Sequence, residues 1–196
     1  MASILPFDEL NRLDAEIRER FGNNPLQKRD EEDILDEFLD LFLLAYAMGN
    51  SVTNDNLSSD YAPSVDEVME VVDARVAGKT WRERVEDYFA NGGTGEDLAR
   101  IADTETHRIA NQAAYETAKK AGATEKTWHC MMLPTSRDTH IYLDGVTAPI
   151  DGEFYSFKGG STQFPGQWGI AEEDVNCLCW LSFSEVGWSY DKTRSD

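Results

Sequence analysis

"TGEDLARIADTETHRIANQAAYETAKKAG", Thr94 to Gly122, is the stretch on which the fold turns. Thr94 with Asp97 opens a helix. Lys119, Lys120 and Gly122 close it, where a helix C-terminus takes cations and a left-handed residue. Along it Leu98, Ile101, Ala102, Ile109 and Ala113 form a narrow apolar seam able to pack closely against another helix or a sheet. Glu105, four residues from both Ile101 and Ile109, interrupts that seam. A carboxylate there needs a donor, for which Arg137 is a candidate, or a route to water. His107, pointing elsewhere on the same helix, is expected to face solvent.

Upstream the chain reads as helices separated by loops. "PFDELNRLDAEIRERFG" sets Phe7, Leu10, Leu13, Ile17 and Phe21 on one stripe, with Gly22 as the stop. From Asp30 to Met48 a second helix carries Ile34, Leu35, Phe38, Leu41, Phe42 and Ala45 on a wide apolar face suited to a bundle. "GNSVTNDNLSSDYAPS", Gly49 to Ser64, is rich in Asn, Ser and Asp, has no period, and reads as a long loop. Ser64 and Glu67 have the spacing of a capping box for a third helix, ended by Gly78. "KTWRERVEDYFANGG" gives a fourth, with Trp81, Val85 and Phe89 at four-residue steps and a glycine pair as terminator.

Beyond Gly122 the texture changes to short strand-like pieces at Lys126–Leu133, Val146–Ile150, Glu153–Phe157 and Cys177–Phe183, punctuated by Gly and Pro. The order predicts an α+β chain: a helical N-terminal half, then a small mixed or antiparallel sheet with long Gly/Pro-rich loops.

Composition narrows the function classes. Of 196 residues, 18 are basic and 37 acidic, a formal charge of −19, so a phosphate backbone is repelled and no direct nucleic-acid binding is expected. The longest apolar run, Leu41 to Gly49, falls far short of the ~20 residues of a membrane span, and no membrane association is expected. The amino terminus has no secretory signal pattern, which points to a cytoplasm. Three cysteines cannot all pair within one chain, which argues against a disulfide scaffold.

Two phrases concentrate the chemistry: "RDTHIYLDG", Arg137 to Gly145, and "NCLCW", Asn176 to Trp180. Cys177 and Cys179 at i and i+2 on a strand would point to one face and could share one ion. His140 and the adjacent pair His129 and Cys130 are candidates for the remaining ligands. The same cysteines read equally as small buried hydrophobes among aromatics, and a thiol nucleophile with His140 as base is a further alternative. Asp138 can cap a short helix, Arg137 can pair with carboxylates, and His140 can be a hydrogen-bonded core residue. Phe154, Tyr155, Phe157, Phe164 and Trp168 read as a core under long loops. "GGTGED", Gly92 to Asp97, lacks the lysine and preceding strand of a phosphate-binding loop.

The order of three phrases, Ile101 to Trp128, Ser136 to Phe154 and Phe164 to Phe183, resembles the tailed-phage head-morphogenesis family typified by phage Mu protein F. The resemblance covers roughly Lys79 to Phe183 and carries over at Thr104, Glu105, Lys126, Trp128, Arg137, Asp138, His140, Gly145, Pro165, Asn176, Cys177 and Cys179. Asp103 and Leu178 depart from it, each standing where the family has arginine. It implies a domain over residues 79–196 of the Mu F type, preceded by an acidic helical segment over residues 1–78. It further implies a minor head protein of the virion, made in the host cytoplasm and incorporated during procapsid assembly near the portal. Portal or major capsid protein would be the partner. Under this reading Glu105, Trp128, Arg137, Asp138, His140, Gly145 and Asn176 form a structural motif. His140, Cys177, Cys179 and Cys130 are the candidate ligands of zinc. The rival reading is an enzyme delivered with the virion, either an ADP-ribosyltransferase-like protein or a thiol hydrolase. For the transferase, Glu172, Glu173 and Glu185 are the unplaced glutamates. An open pocket lined by Arg137, His140 and a glutamate would favour the enzyme, and burial of all three would remove it.

Overall fold

The computed structural model describes residues 31–184, so the predicted helix from Phe7 to Gly22 lies outside the described residues. Chain order is α1 (Glu31–Leu57), α2 (Val65–Val72), α3 (Trp81–Asn91), α4 (Gly95–Lys120), β1 (Glu125–His129), α5 (Asp138–Leu143), β2 (Thr147–Pro149), β3 (Phe154–Tyr155), β4 (Ser161–Thr162), α6 (Ala171–Asp174) and β5 (Trp180–Ser184). Helices come first and the sheet last, as the α+β reading predicts. None of the described helices is long and apolar enough to cross a membrane.

α1 runs nine residues beyond Met48, into the segment expected to be a loop. The buried stripe Ile34, Phe38, Phe42, Ala45, Tyr46, Gly49 and Thr53 keeps helical spacing to its end, but its last members are too small and polar to register as apolar. Gly49 lies against the backbone of Ala110 in α4, where a side chain would collide with the Ala110 carbonyl. The asparagines that suggested a loop instead reach outward. Asn50 Nδ2 donates to Thr117 Oγ1 at 2.8 Å, and Asn54 Nδ2 to the Tyr61 carbonyl at 2.8 Å. Their side chains bond to neighbouring segments rather than competing with the helix backbone.

α2 begins with the predicted capping box, Ser64 and Glu67 bonding reciprocally, but it stops at Asp73 rather than at Gly78. Asp73 accepts hydrogen bonds from Trp81 Nε1 at 3.0 Å and Arg82 Nε at 3.3 Å, turning the chain early. Gly78, at φ +80°, serves instead the tight turn of the Val76–Lys79 bridge. α3 has its own capping box, Thr80 with Glu83, and ends on left-handed Gly92. α4, 26 residues and roughly 39 Å long, is the central element.

One core fills the space between α1, α2, α3 and the first half of α4: Ile34, Phe38, Phe42, Val72, Trp81, Val85, Leu98, Ala102, Ile109 and Ala113 are all closed to solvent. Phe42 meets Trp81 edge to face at 5.1 Å. Residues on both sides of Gly78 share this core. The opposite side of α4 packs on the rear part of the chain, where Asn111 Nδ2 donates to the Cys179 carbonyl at 3.0 Å and the Tyr115 ring meets Phe164 at 5.3 Å. Covered on both sides, α4 has no solvent face at its middle. His107 is therefore buried, contrary to the expectation that it faces water.

β1 is the middle strand of a three-stranded antiparallel sheet ordered β2-β1-β5, with Lys126 opposite Ala148 on one side and Phe183 on the other. β3 and β4 form a separate antiparallel ribbon. A second core of Tyr115, Trp128, Leu143, Ala148, Phe154, Phe164, Trp168 and Leu181 lies under these pieces. Of the predicted aromatic group, Phe154, Phe164 and Trp168 belong to it. Tyr155 and Phe157 do not: they are 67% and 63% exposed, because the alternation of β3 turns Phe154 inward and its neighbour out.

Candidate metal centre

Three separated segments bring their polar side chains together under this second core. Cys130 follows β1, and its N–H donates to Asp144 Oδ1 at 2.8 Å, fixing the exit of the strand. His140 is in α5, whose preceding residue Arg137 anchors the helix by donating its guanidinium to the carbonyls of Glu172 and Val175. Arg137 thus bonds to backbone rather than to the carboxylate that the sequence suggested. Asp138 is exposed in the first turn of α5.

Cys177 and Cys179 precede β5 instead of lying on it, so strand alternation is not what aligns their sulfurs. The loop does so. Asn176 takes a left-handed conformation at φ +54° with its N–H on Thr104 Oγ1 at 3.3 Å, and the Cys177 N–H bonds to the Asp174 carbonyl at 3.1 Å. The Asp174 carboxylate in turn accepts the N–H groups of Trp168 and Gly169, both at 2.8 Å. Burial raises the Asp174 pKa.

The result is a convergence on one nitrogen. His140 Nδ1 lies 3.6 Å from Cys177 Sγ and 3.4 Å from Cys179 Sγ, and Cys130 lines the same small cavity as Cys179. All three cysteines are free and buried. On the far side of the ring, Nε2 is 3.0 Å from Glu173 Oε2, an approach off the N–H axis. Trp128 and Trp168 wall the imidazole at 5.7 and 6.1 Å between ring centroids. The second candidate histidine is elsewhere: His129 Nε2 hydrogen-bonds Ser182 Oγ at 2.7 Å and its ring stacks on Trp180.

The hydrogen bonds from Cys179 and His140 pull the Cys177 thiol far below its ordinary range, against the effect of burial. Cys179 is driven up by its bonds to both other thiols, and Cys130 is brought down to about 6, chiefly by Cys179. Burial pushes His140 down, but the bond to Cys177 and the charges of Cys177 and Glu173 outweigh it and raise its pKa.

His140, Cys177 and Cys179 present ligand atoms all within 4.8 Å of one another, a group that could hold a metal ion. The spacing fits. A tetrahedral site with a metal–sulfur length of about 2.3 Å and a metal–nitrogen length of about 2.0–2.1 Å has N···S edges of about 3.5–3.6 Å. A lone pair on Nδ1 and two thiolates can share one cation. Beside them is a cavity of about 30 Å³ lined in part by Cys130, His140 and Cys179, room for an ion or one water.

Other members of the motif hold the surroundings. Gly145, at φ +76°, donates its N–H to the Trp128 carbonyl at 2.8 Å, and the Trp128 N–H bonds to the Val146 carbonyl at 2.9 Å. Glu105 is buried and pairs with Arg84 and with Arg108 Nε, the latter at 2.6 Å. Arg137 is not its partner, and neither does Glu105 reach solvent. Sequence reasoning left Glu173 without a role. In the run Glu172–Glu173–Asp174 only the fold tells which carboxylate turns inward, and Glu172 remains exposed. Glu185 lies outside the described residues.

The family described as "Phage Mu protein F like protein" matches residues 50–182, a span that contains the end of α1, all of α4, the sheet up to the middle of β5 and the whole centre. Over 84 residues, 41% of this chain, the sequence is 40% identical to 17% of the NAD(+)–arginine ADP-ribosyltransferase EFV of Enterococcus faecalis. Over 85 residues, 42% of this chain, it is 34% identical to 28% of the minor head protein GP7 of Bacillus phage SPP1. The matched region thus spans under a third of either relative's length. No solved structure matches the chain.

Proposed function

We propose, for a chain that belongs to the phage Mu protein F-like family, the role of a minor structural protein of a phage or prophage head. It is incorporated during procapsid assembly near the portal, is made in the host cytoplasm, and has portal or major capsid protein as its partner. The observation that carries this reading is the 34% identity with a phage minor head protein across a region that includes no more than a part of each chain. The buried centre is consistent with it, since its side chains tie α5, the end of β1 and the loop before β5 together. Ordering such loops is entropically costly, and a cross-link among them offsets that cost.

The ion we propose there is zinc, held by His140, Cys177 and Cys179; Cys130, whose thiol lies outside the 4.8 Å group, would have to move inward to serve as the fourth donor. A Cys and His set of this softness suits zinc, and bound zinc would supply a redox-inert cross-link. Trp128 and Trp168 exclude water from the imidazole, Asn176 turns the two thiols inward, and Arg137 holds α5 against the loop that carries them.

The enzyme reading asked for an open pocket. His140 and Glu173 are each no more than 2% exposed while Arg137 is half-buried at the edge of the adjoining cavity, whose volume of about 30 Å³ is far smaller than a nicotinamide nucleotide requires. The identity with the transferase covers 17% of that protein, and Glu105, which lines a larger cleft of about 380 Å³ beside α4, is paired there with Arg84 and Arg108.

Particles assembled with the portal, scaffold and major capsid proteins of the same phage or prophage, with and without this chain, test the role. The chain is expected to sediment with procapsids in low copy and to be pulled down by the portal. Its absence from purified particles, with no binding to portal or capsid protein, would overturn the reading.

A further inference from the structure

We infer that Glu173 is the outer carboxylate that aims His140 at the metal, and that Thr139 and Ser156 hold it in place; this rests on the zinc reading above. A neutral imidazole carries one proton. For Nδ1 to offer a lone pair toward Cys177 and Cys179, the proton must sit on Nε2, and the carboxylate oxygen beside Nε2 is Glu173 Oε2, 3.0 Å away and off the N–H axis as the ring stands, so that ligation has to turn the two into line. Glu173 is 1% exposed, so its orientation depends on protein donors rather than water. Thr139 Oγ1 donates to Oε2 at 2.8 Å and Ser156 Oγ donates to Oε1 at 3.3 Å. Two hydroxyl donors and a ring nitrogen surround one carboxylate.

Charge makes the same point. A buried carboxylate stands behind a histidine whose other face meets two cysteines, with a third thiol lining the same small cavity. Once His140 is neutral and both facing thiols are ionised, as ligation requires, a cation is needed among them. Apart from His140 itself when protonated, the nearby positive charge is Arg137, and its guanidinium is already committed to two carbonyls. A divalent ion on the Nδ1 side completes the set, with Glu173 compensating the imidazole that becomes more positive on ligation.

The consequence is a longer reach for the centre. Glu173 is in α6, Thr139 in α5, and Ser156 directly follows β3. The β3–β4 ribbon, which offers no ligand of its own, is thereby tied to the metal through one carboxylate.

The test uses the full chain as wild type, Glu173→Gln, Glu173→Ala and Thr139→Val, purified under reducing conditions and titrated with zinc against a chromophoric chelator. Outer-shell substitutions of this kind weaken metal binding by roughly 10–100-fold. Glu173→Ala is expected in that range, with Glu173→Gln and Thr139→Val showing smaller losses. Nitrogen-15 spectra of the zinc-loaded wild type should show His140 protonated at Nε2 and ligated at Nδ1, and a mixture of tautomers in Glu173→Ala. That signature would not move if Glu173 only supported the fold, and the near-isosteric Glu173→Gln covers the case in which the alanine variant does not fold. Wild type that binds zinc, with Glu173→Ala binding within twofold and its tautomer unchanged, would overturn the role of Glu173 while leaving zinc in place. Wild type that takes up no zinc would overturn both.

Discussion

Replacing Glu105 with Gln should be among the most damaging single-atom changes available in this chain. The Glu105 side chain is 3% exposed and lies between Arg108, 1% exposed, and Arg84, 25% exposed. Removing its charge leaves the Arg108 guanidinium in the core without its anion. Breaking a buried pair in this way costs about 3–5 kcal/mol. Arg108 keeps hydrogen bonds to the carbonyls of Val71 and Val72 and to Gln112, and Arg84 can turn toward water, so the lower end applies, about 3 kcal/mol. At about 2–4 °C per kcal/mol for a chain of this size, the melting midpoint should fall by roughly 6–12 °C. Urea and thermal unfolding of the variant would be compared with Glu96→Gln, an exposed position on the same helix. A loss under about 1 kcal/mol, or one equal to the Glu96 control, would refute the claim that Glu105 neutralises a buried arginine.

Three further outcomes follow from the packing and the buried charges. Gly49→Ala should destabilise by about 3 kcal/mol, the upper end for overpacking, because the added methyl meets the Ala110 carbonyl and sits 3.1 Å from Ala113 Cβ; denaturant unfolding with an unchanged m-value would show it. Burial pushes Lys126 down to about 8, below the ~10.4 of an unfolded lysine, so the folded chain binds fewer protons between those values. Stability should therefore rise from pH 8 toward pH 10 and then be opposed as tyrosines held up by burial, Tyr46 at about 12 among them, favour the folded chain's protonated form; Lys126→Met should abolish the rise. Asn54→Ala should loosen the turn after α1 by about 1 kcal/mol, through loss of its bond to the Tyr61 carbonyl, visible as faster amide exchange around Tyr61.

Local rules carried much of the architecture. Helix starts at Ser64, Thr80 and Thr94 each pair a hydroxyl residue with an acid three positions on, and the seam of α4 runs at the spacing its apolar residues announce. What local pattern missed was decided by tertiary contact. The last turns of α1 are polar in sequence but helical in fact, because Gly49 admits close approach to α4 and Asn50 and Asn54 find partners far along the chain. His107 is buried because α4 is covered on two sides, which no single helix can reveal. At the centre, the residue types and their convergence were legible, but the reason was not. The thiols align through a left-handed turn at Asn176 rather than through strand alternation. Glu173 was one of three unplaced glutamates in the sequence, and only the placement of α6 turns it, with Asp174, inward while Glu172 stays exposed.

Metal content tests the fastening most directly. Protein purified under reducing conditions should carry one zinc per chain by mass spectrometry, and chelation should lower its melting midpoint, with zinc restoring it. Cys177→Ser and Cys179→Ser should each lose the ion. Wild-type chain with no stoichiometric metal, and with a midpoint that added zinc leaves unmoved, would contradict a cross-linked rear domain.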